Sequence, residues 1–149
     1  MNRPPRLAVR GVILIDGRLL LVNAYGGTRS NLWCLPGGGV KAHASLPDNL
    51  IREVREETGL TVAVGAPCLI NEFHDPKRDF HQIEVFFRCH VHDGTLSNTH
   101  SDPEGVVNRF RLTTRAGLER IRFKPEAIAA VAFDADCRTI YDPLEPIVA

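Results

Sequence analysis

Three glutamates, Glu53, Glu56 and Glu57, stand within five positions of a 149-residue chain, soon after the glycine run of "LPGGGV". Like charges three or four positions apart on a helix repel by about 0.2–0.5 kcal/mol per pair. Arg52 and Arg55 interleave with the acids and offset part of that cost. A divalent cation would offset it better, because hard Mg²⁺ or Mn²⁺ prefers carboxylate and carbonyl oxygen and completes its shell with water and substrate phosphate. Glycines just ahead of the cluster let backbone amides and carbonyls approach an ion or a phosphate at distances that side chains forbid. A solvated helix face beside an ordinary loop explains either feature alone; their joint spacing favours a single site.

Placing those acids requires a helix. Ser45 is the expected N-cap, with Asp48 three residues on and Pro47 in the first turn, where its missing N–H costs nothing. Nothing from Leu46 to Thr58 except Pro47 opposes a helix, and Gly59 sits where a glycine stop belongs. At about 100° per residue, Glu53, Glu56 and Glu57 share an arc of roughly 100°, beside a similar arc of Leu50, Ile51 and Val54. One side is core and the flank carries the carboxylates, which are expected to be solvated.

The remaining chain reads as strands with one further helix. "LAVRGVILIDGRLLLVNA" is a hairpin about Asp16-Gly17, a pair that supplies the positive φ of a tight turn. "YGGTRSN" is loop, and "LWCLPGGGV" is a short apolar stretch running into glycine loop. "LTVAVGAPCLINEFHD" and "FHQIEVFFRCHVHDG" are β-rich segments separated by "DPKRD". In the second, Ile83, Val85, Phe87, Cys89 and Val91 form the expected drier face, opposite Glu84, Arg88 and His90. "TLSNTHSDPEG" reads as loop, "VVNRFRL" as strand and "PEAIAAVAFDAD" as a terminal helix. Mixed strands and helices predict an α/β or α+β sandwich, in one domain over residues 1–149.

Composition narrows the function classes. The 18 basic and 18 acidic side chains cancel, so no global field favours duplex nucleic acid or an anionic membrane surface. No apolar run approaches the roughly 18–20 residues that span a bilayer. Cys34, Cys68, Cys89 and Cys137 are widely spaced without a CxxC pair, and the N-terminal stretch lacks a long apolar signal region. A reduced, cytoplasmic setting is the expectation.

Gly38, Arg52-Glu53-Val54, Glu56-Glu57 and Gly59-Leu60 resemble the Nudix box, G-x5-E-x7-R-E-U-x-E-E-x-G-U with U aliphatic, over the 23 residues Gly38–Leu60. The lead-in "LWCLPGGGV" is also similar to the family's usual approach. One position departs: Ala44 stands where the first glutamate belongs, within "KAHAS". The resemblance implies an α/β/α sandwich around a mixed sheet, with the box as a loop–helix–loop unit. It also implies Mg²⁺-dependent hydrolysis, with Mn²⁺ an alternative, of a nucleoside diphosphate linked to another group.

The same resemblance implies roles residue by residue. Glu56 and Glu57 become metal ligands, Glu53 a ligand or the general base, and Arg52 a partner that orients a glutamate. Gly37 offers its carbonyl to the metal, and Gly38 and Gly39 line the substrate. Several family members recruit one more acid from a distant loop or strand; Glu104 is the first candidate here and Glu84 the second, each weighed against being a solvated surface acid. His43 is a nitrogen donor or merely exposed. Trp33 and Phe73 stack a base or belong to the core.

The box does not choose among nucleoside triphosphates, dinucleoside polyphosphates, ADP-ribose, nucleotide sugars, coenzymes and capped RNA ends. With little chain ahead of "LAVRGVILI", and with Pro76 in "HDPKRD" reading as a turn more simply than as an ADP-ribose marker, a compact hydrolase of nucleoside triphosphates or related nucleotides is the expectation. The rival is a Nudix-like nucleotide or metabolite sensor without turnover, resting on Ala44; a metal-free charged interaction surface is the third reading. No segment announces a dimer interface, and a homodimer stays compatible with the sequence.

Overall fold

The computed structural model describes residues 2–97, 100–135 and 138–149; Cys137 and part of the "TLSNTHSDPEG" and "PEAIAAVAFDAD" segments lie outside them. The chain runs β1 (Arg6–Ile15), β2 (Arg18–Asn23), β3 (Trp33–Cys34), β4 (Gly37–Gly39), α1 (Leu46–Thr58), β5 (Thr61–Asp75), β6 (Phe80–Asp93), β7 (Phe110–Thr113), α2 (Arg115–Leu118), α3 (Ile128–Val131) and β8 (Ile140–Pro146). Asp16 and Gly17 take φ of 51° and 75°, as the β1–β2 turn demands.

The strands form one mixed sheet in the order β3-β2-β1-β6-β5-β8, with β7 on β2 and β4 on β1. Pairs β1–β6 and β5–β8 are parallel, the others antiparallel. Strand β1 divides one edge between two partners: Ala8–Arg10 pair with the glycines of β4, and Leu14 and Ile15 pair with β2.

Consecutive residues of β2 point to opposite sides of the sheet, and the two cores show it. Leu20 packs with Val9, Ile13, Leu50 and Val54 on the α1 side, whereas Leu19 and Leu21 pack with Val12, Leu118, Ile128 and Val131 on the α2–α3 side. The fold is an α/β/α sandwich. Leu50 and Val54 are wholly buried, each contributing about 1.5–3 kcal/mol of transfer free energy.

Four expectations are corrected. The "PGGG" run is strand as well as loop, because glycines without side chains fit tightly against β1. "VVNRFRL" becomes strand only at Phe110, since the backbone before it is held by side chains described below. Among the described residues of "PEAIAAVAFDAD" the α-helix is Ile128–Val131, and β8 follows it. On β6 both faces are covered in part: Phe87 and Cys89 of the expected face are buried, Ile83 and Val85 half-buried and Val91 exposed, while Gln82, Glu84 and Phe86 on the other face are buried. No helix among the described residues is long and apolar enough to cross a membrane.

Candidate functional site

Helix α1 forms as its local signals require. Ser45 Oγ accepts the Asp48 N–H at 3.0 Å, and Gly59 ends the helix at φ 78°. Asn49, buried, ties the preceding turn to it: its Oδ1 accepts the Lys41 N–H and an Arg52 N–H, and its Nδ2 donates to the carbonyl of Ser45 at 2.9 Å and reaches that of Ala44 at 3.2 Å. The carboxylate flank is therefore presented at a fixed angle to β4.

Strand β4 roofs that flank, so the expected solvated acids are largely covered: Glu53 is 6% and Glu57 8% exposed, while Glu56 is half-buried. A Cβ at Gly37, where φ is 151°, would stand 1.9 Å from the Val9 carbonyl oxygen; a Cβ at Gly38 would stand 2.5 Å from Glu53 Oε2. Gly37 thus admits the neighbouring backbone, and Gly38 admits a carboxylate. The Gly37 N–H donates to Glu57 Oε1 at 2.7 Å. Arg52 Nη1 bonds Glu53 Oε1 at 2.8 Å and lies 3.5 Å from Glu56 Oε2.

A third acid reaches this pair from far along the chain. One oxygen each of Glu53, Glu56 and Glu104 lie within 4.8 Å of one another. Glu104 is exposed on a loop that the buried Asp102 winds around itself: Asp102 Oδ1 accepts the Glu104 N–H, and Oδ2 those of Val106 and Val107. Asn23, 2% exposed, fastens the loop to β2 by accepting from the Asn108 and Arg109 N–H groups and donating to the Val106 carbonyl. These bonds occupy the backbone that would otherwise have extended β7.

Glu57 takes a different partnership. Burial pushes its carboxyl up to about 8, against the pull of the Arg10 charge and the Gly37 N–H. Glu84 also departs from expectation: it is 4% exposed and locked to Arg10 Nε at 2.7 Å, with Gln82 donating to the same oxygen at 3.0 Å. It is a buried ion-pair partner and stands outside the trio, because its place on β6 turns it toward β1. Burial opposes the Arg10 charge, and Glu84, Cys34 and Glu57 together more than offset that.

Beside them lies a cavity of about 370 Å³ lined by the acids Glu53, Glu57, Asp102 and Glu104, the basic residues Arg6, Arg10 and Lys41, and the glycines Gly37, Gly38 and Gly39. Cys34 lines it too, its thiol pushed up to about 12 by burial. Trp33 and Phe73 do not line it. The Trp33 ring lies 5.6 and 5.9 Å from the Arg109 and Arg111 guanidinium carbons, and Phe73 packs on Phe80 with ring centroids 6.0 Å apart. His43 and Ala44 are exposed on the turn before α1 and lie outside the lining.

Sequence reasoning missed Asn23, Asp102 and Arg6. A weak signal existed for Asp102, since "DPEG" is a turn in which an aspartate bonds its own backbone. Nothing local marks Asn23.

A protein-family model described as NUDIX domain matches residues 4–131. The ADP-ribose pyrophosphatase of Methanocaldococcus jannaschii is 33% identical over 94 residues, which is 62% of this chain and 54% of that protein. A Bacillus subtilis relative is 28% identical over 93 residues, 60% of this chain and 43% of its own length. The chain thus spans about half the length of the curated relatives it matches. Among solved structures, a NUDIX hydrolase from Nitrosomonas europaea superposes with a TM-score of 0.72 at 17% identity, covering 99% of this chain and 82% of its own. An ADP-ribose pyrophosphatase from Streptococcus suis gives 0.68 at 23% identity, covering 93% and 100%. At these identities the superpositions speak for the fold.

Proposed function

The chain belongs to the Nudix family, and from that premise we propose that, acting as one domain, it hydrolyses the pyrophosphate linkage of a nucleoside diphosphate joined to another group. The observation that carries the reading is the meeting of Glu53, Glu56 and Glu104, distant in sequence, within 4.8 Å beside the glycine strand. The name of the Methanocaldococcus jannaschii relative favours ADP-ribose as the first substrate to try, ahead of nucleoside triphosphates and dinucleoside polyphosphates.

The donor set suits a hard divalent cation. Three carboxylates converge, and the Arg52 guanidinium is the cation seen against two of them, which leaves negative charge for an ion such as Mg²⁺ or Mn²⁺ to neutralise. Glu53, Glu56 and Glu104 would hold it. When bound, such an ion supplies neutralisation of phosphate charge and eases ionisation of water.

The chain's own groups do the rest. Arg52 orients Glu53 through a hydrogen bond and stands as an ion-pair partner near Glu56 before substrate arrives. The glycine strand admits the pyrophosphate close to its backbone. Glu57, buried beside the trio and accepting the Gly37 N–H at 2.7 Å, is the further ligand that the family resemblance implies, and Glu53 is the acid of the trio that the same resemblance offers as general base. The sensor reading rested on Ala44, and its exposed place outside the cavity lining gives that reading no support.

Product release from ADP-ribose, nucleoside triphosphates and dinucleoside polyphosphates, with Mg²⁺, with Mn²⁺ and with chelator, tests the proposal. Turnover of one class that stops with chelator is expected. Stabilisation by a nucleotide with no turnover in any mixture would overturn it in favour of a sensor.

A further inference from the structure

Arg6 lines the cavity and is exposed. Its Nη1 donates to Gln82 Oε1. Gln82 is 2% exposed, and its Nε2 donates onward to Glu84, which is held by Arg10. A buried amide costs desolvation unless both its ends are satisfied, and here the oxygen is satisfied by Arg6 and the nitrogen by Glu84. Arg6 is thereby aimed by a neutral group and has no carboxylate partner among the described residues, whereas Arg10 beside it is paired with Glu84. An arginine so held keeps unused N–H donors and an uncompensated charge at the edge of a cavity.

Position says what that charge faces. Consecutive residues of a strand project to opposite faces. A Cβ at Gly38 would meet the Glu53 carboxylate, and a Cβ at Gly39 would come 2.5 Å from Arg6 Nη2. The acids and Arg6 therefore flank β4 on its two faces, one residue apart along a strand that carries no side chains. Strand β4 pairs with β1 on one side only, so a ligand can lie across its rim and touch both.

We propose that Arg6 is a phosphate-binding residue, taking the phosphate of a nucleoside diphosphate derivative that lies across β4 from the acidic trio. Gly39 is small so that the guanidinium can lie over the strand. The assignment rests on the pyrophosphate reading above for the identity of the ligand, and adds the second pole of the site.

The test is equilibrium binding of ADP-ribose to chelator-treated protein by calorimetry, alongside Mg²⁺-dependent turnover of the same compound, for the wild type, Arg6→Gln, Arg6→Lys and Gly39→Ala. Loss of a charged hydrogen-bonding partner predicts binding weakened about ten- to hundredfold in Arg6→Gln, partly restored in Arg6→Lys. In Gly39→Ala, where the arginine is kept but displaced, binding weakens as well. In turnover the loss is expected in KM, with the Mg²⁺ concentration for half-maximal rate unchanged. Wild-type binding that Arg6→Gln weakens, with no turnover in any protein, would uphold the anion site and sink the hydrolase reading. Equal binding by the wild type and Arg6→Gln, or no binding by the wild type, would overturn the assignment.

Discussion

Helix α1 and the loop from Asp102 to Arg109 both deliver carboxylates to one place, by opposite means. The helix is specified by its own residues: Ser45 caps it, Pro47 opens it, Gly59 stops it, and Leu50 and Val54 choose which side is buried. The loop has no regular structure and owes its shape to Asp102 within it and to Asn23, about 80 residues away. One acid-bearing surface is encoded locally, the other by a long-range hydrogen-bonded clamp. Damage to the first should be graded; damage to the second should detach an acid outright.

The sharpest probe of the helix side is Glu56→Gln. Glu56 is half-buried and supports no core contact, so the fold should survive while turnover falls by about 10²–10³-fold, the order found when one charge-stabilising group is removed. Assay of the folded variant checks it, and near-wild-type turnover would sink the acid assignment. On the loop side, Asn23→Ala strips a buried hub of four hydrogen bonds, two accepted from Asn108 and Arg109 and two donated to Tyr25 and Val106. Leaving such partners unsatisfied costs about 1–3 kcal/mol. Denaturant melts should show that loss, and the Mg²⁺ requirement should rise although no acid has been touched. If the requirement stayed put, Glu104 would not depend on the clamp.

The pH response separates Glu57 from the trio. Its folded value, about 8, lies above the usual carboxylate range, so between roughly pH 4.5 and pH 8 the native state holds a proton that the unfolded chain has released. Stability of the ion-free protein should therefore fall as pH rises through that window and level off above it. Glu57→Gln should flatten the slope in thermal melts with chelator, and an unchanged slope would assign it elsewhere. Ser45→Ala is smaller, about 1 kcal/mol of stability from the lost cap, read in the same melts with turnover retained. Smallest is Ala44→Glu: with residue 44 exposed and outside the cavity lining, little change in the Mg²⁺ titration is expected, and a clear fall in the requirement would show that the turn reaches the ion.

What the sequence disclosed follows the same division. Caps, turn residues and periodicity are local, so α1 and the Asp16-Gly17 hairpin are legible residue by residue. The triple glycine misled because glycine is read as loop, although here it permits a strand to press against the Val9 carbonyl. Glu84 looked like a surface acid because alternation along β6 cannot reveal Arg10, which approaches from β1. Glu104 was visible as a candidate, but its partnership with Glu53 and Glu56 depends on a loop closed by Asn23, a residue with no motif of its own. Trp33, which the sequence leaves as a base-stacking or a core residue, packs partly buried against the α2–α3 core with Arg109 and Arg111 near its ring, and Phe73 packs on Phe80.

The last strand has a consequence for behaviour at high concentration. Strand β8 lies at the end of the sheet order, paired with β5, and carries exposed Tyr141 and Leu144, the kind of margin onto which another copy's strand can stack and seed fibres. Two of its seven residues, Pro143 and Pro146, have no N–H to offer. An incoming strand meets a ladder with missing rungs, so the sheet carries its own stop to edgewise growth.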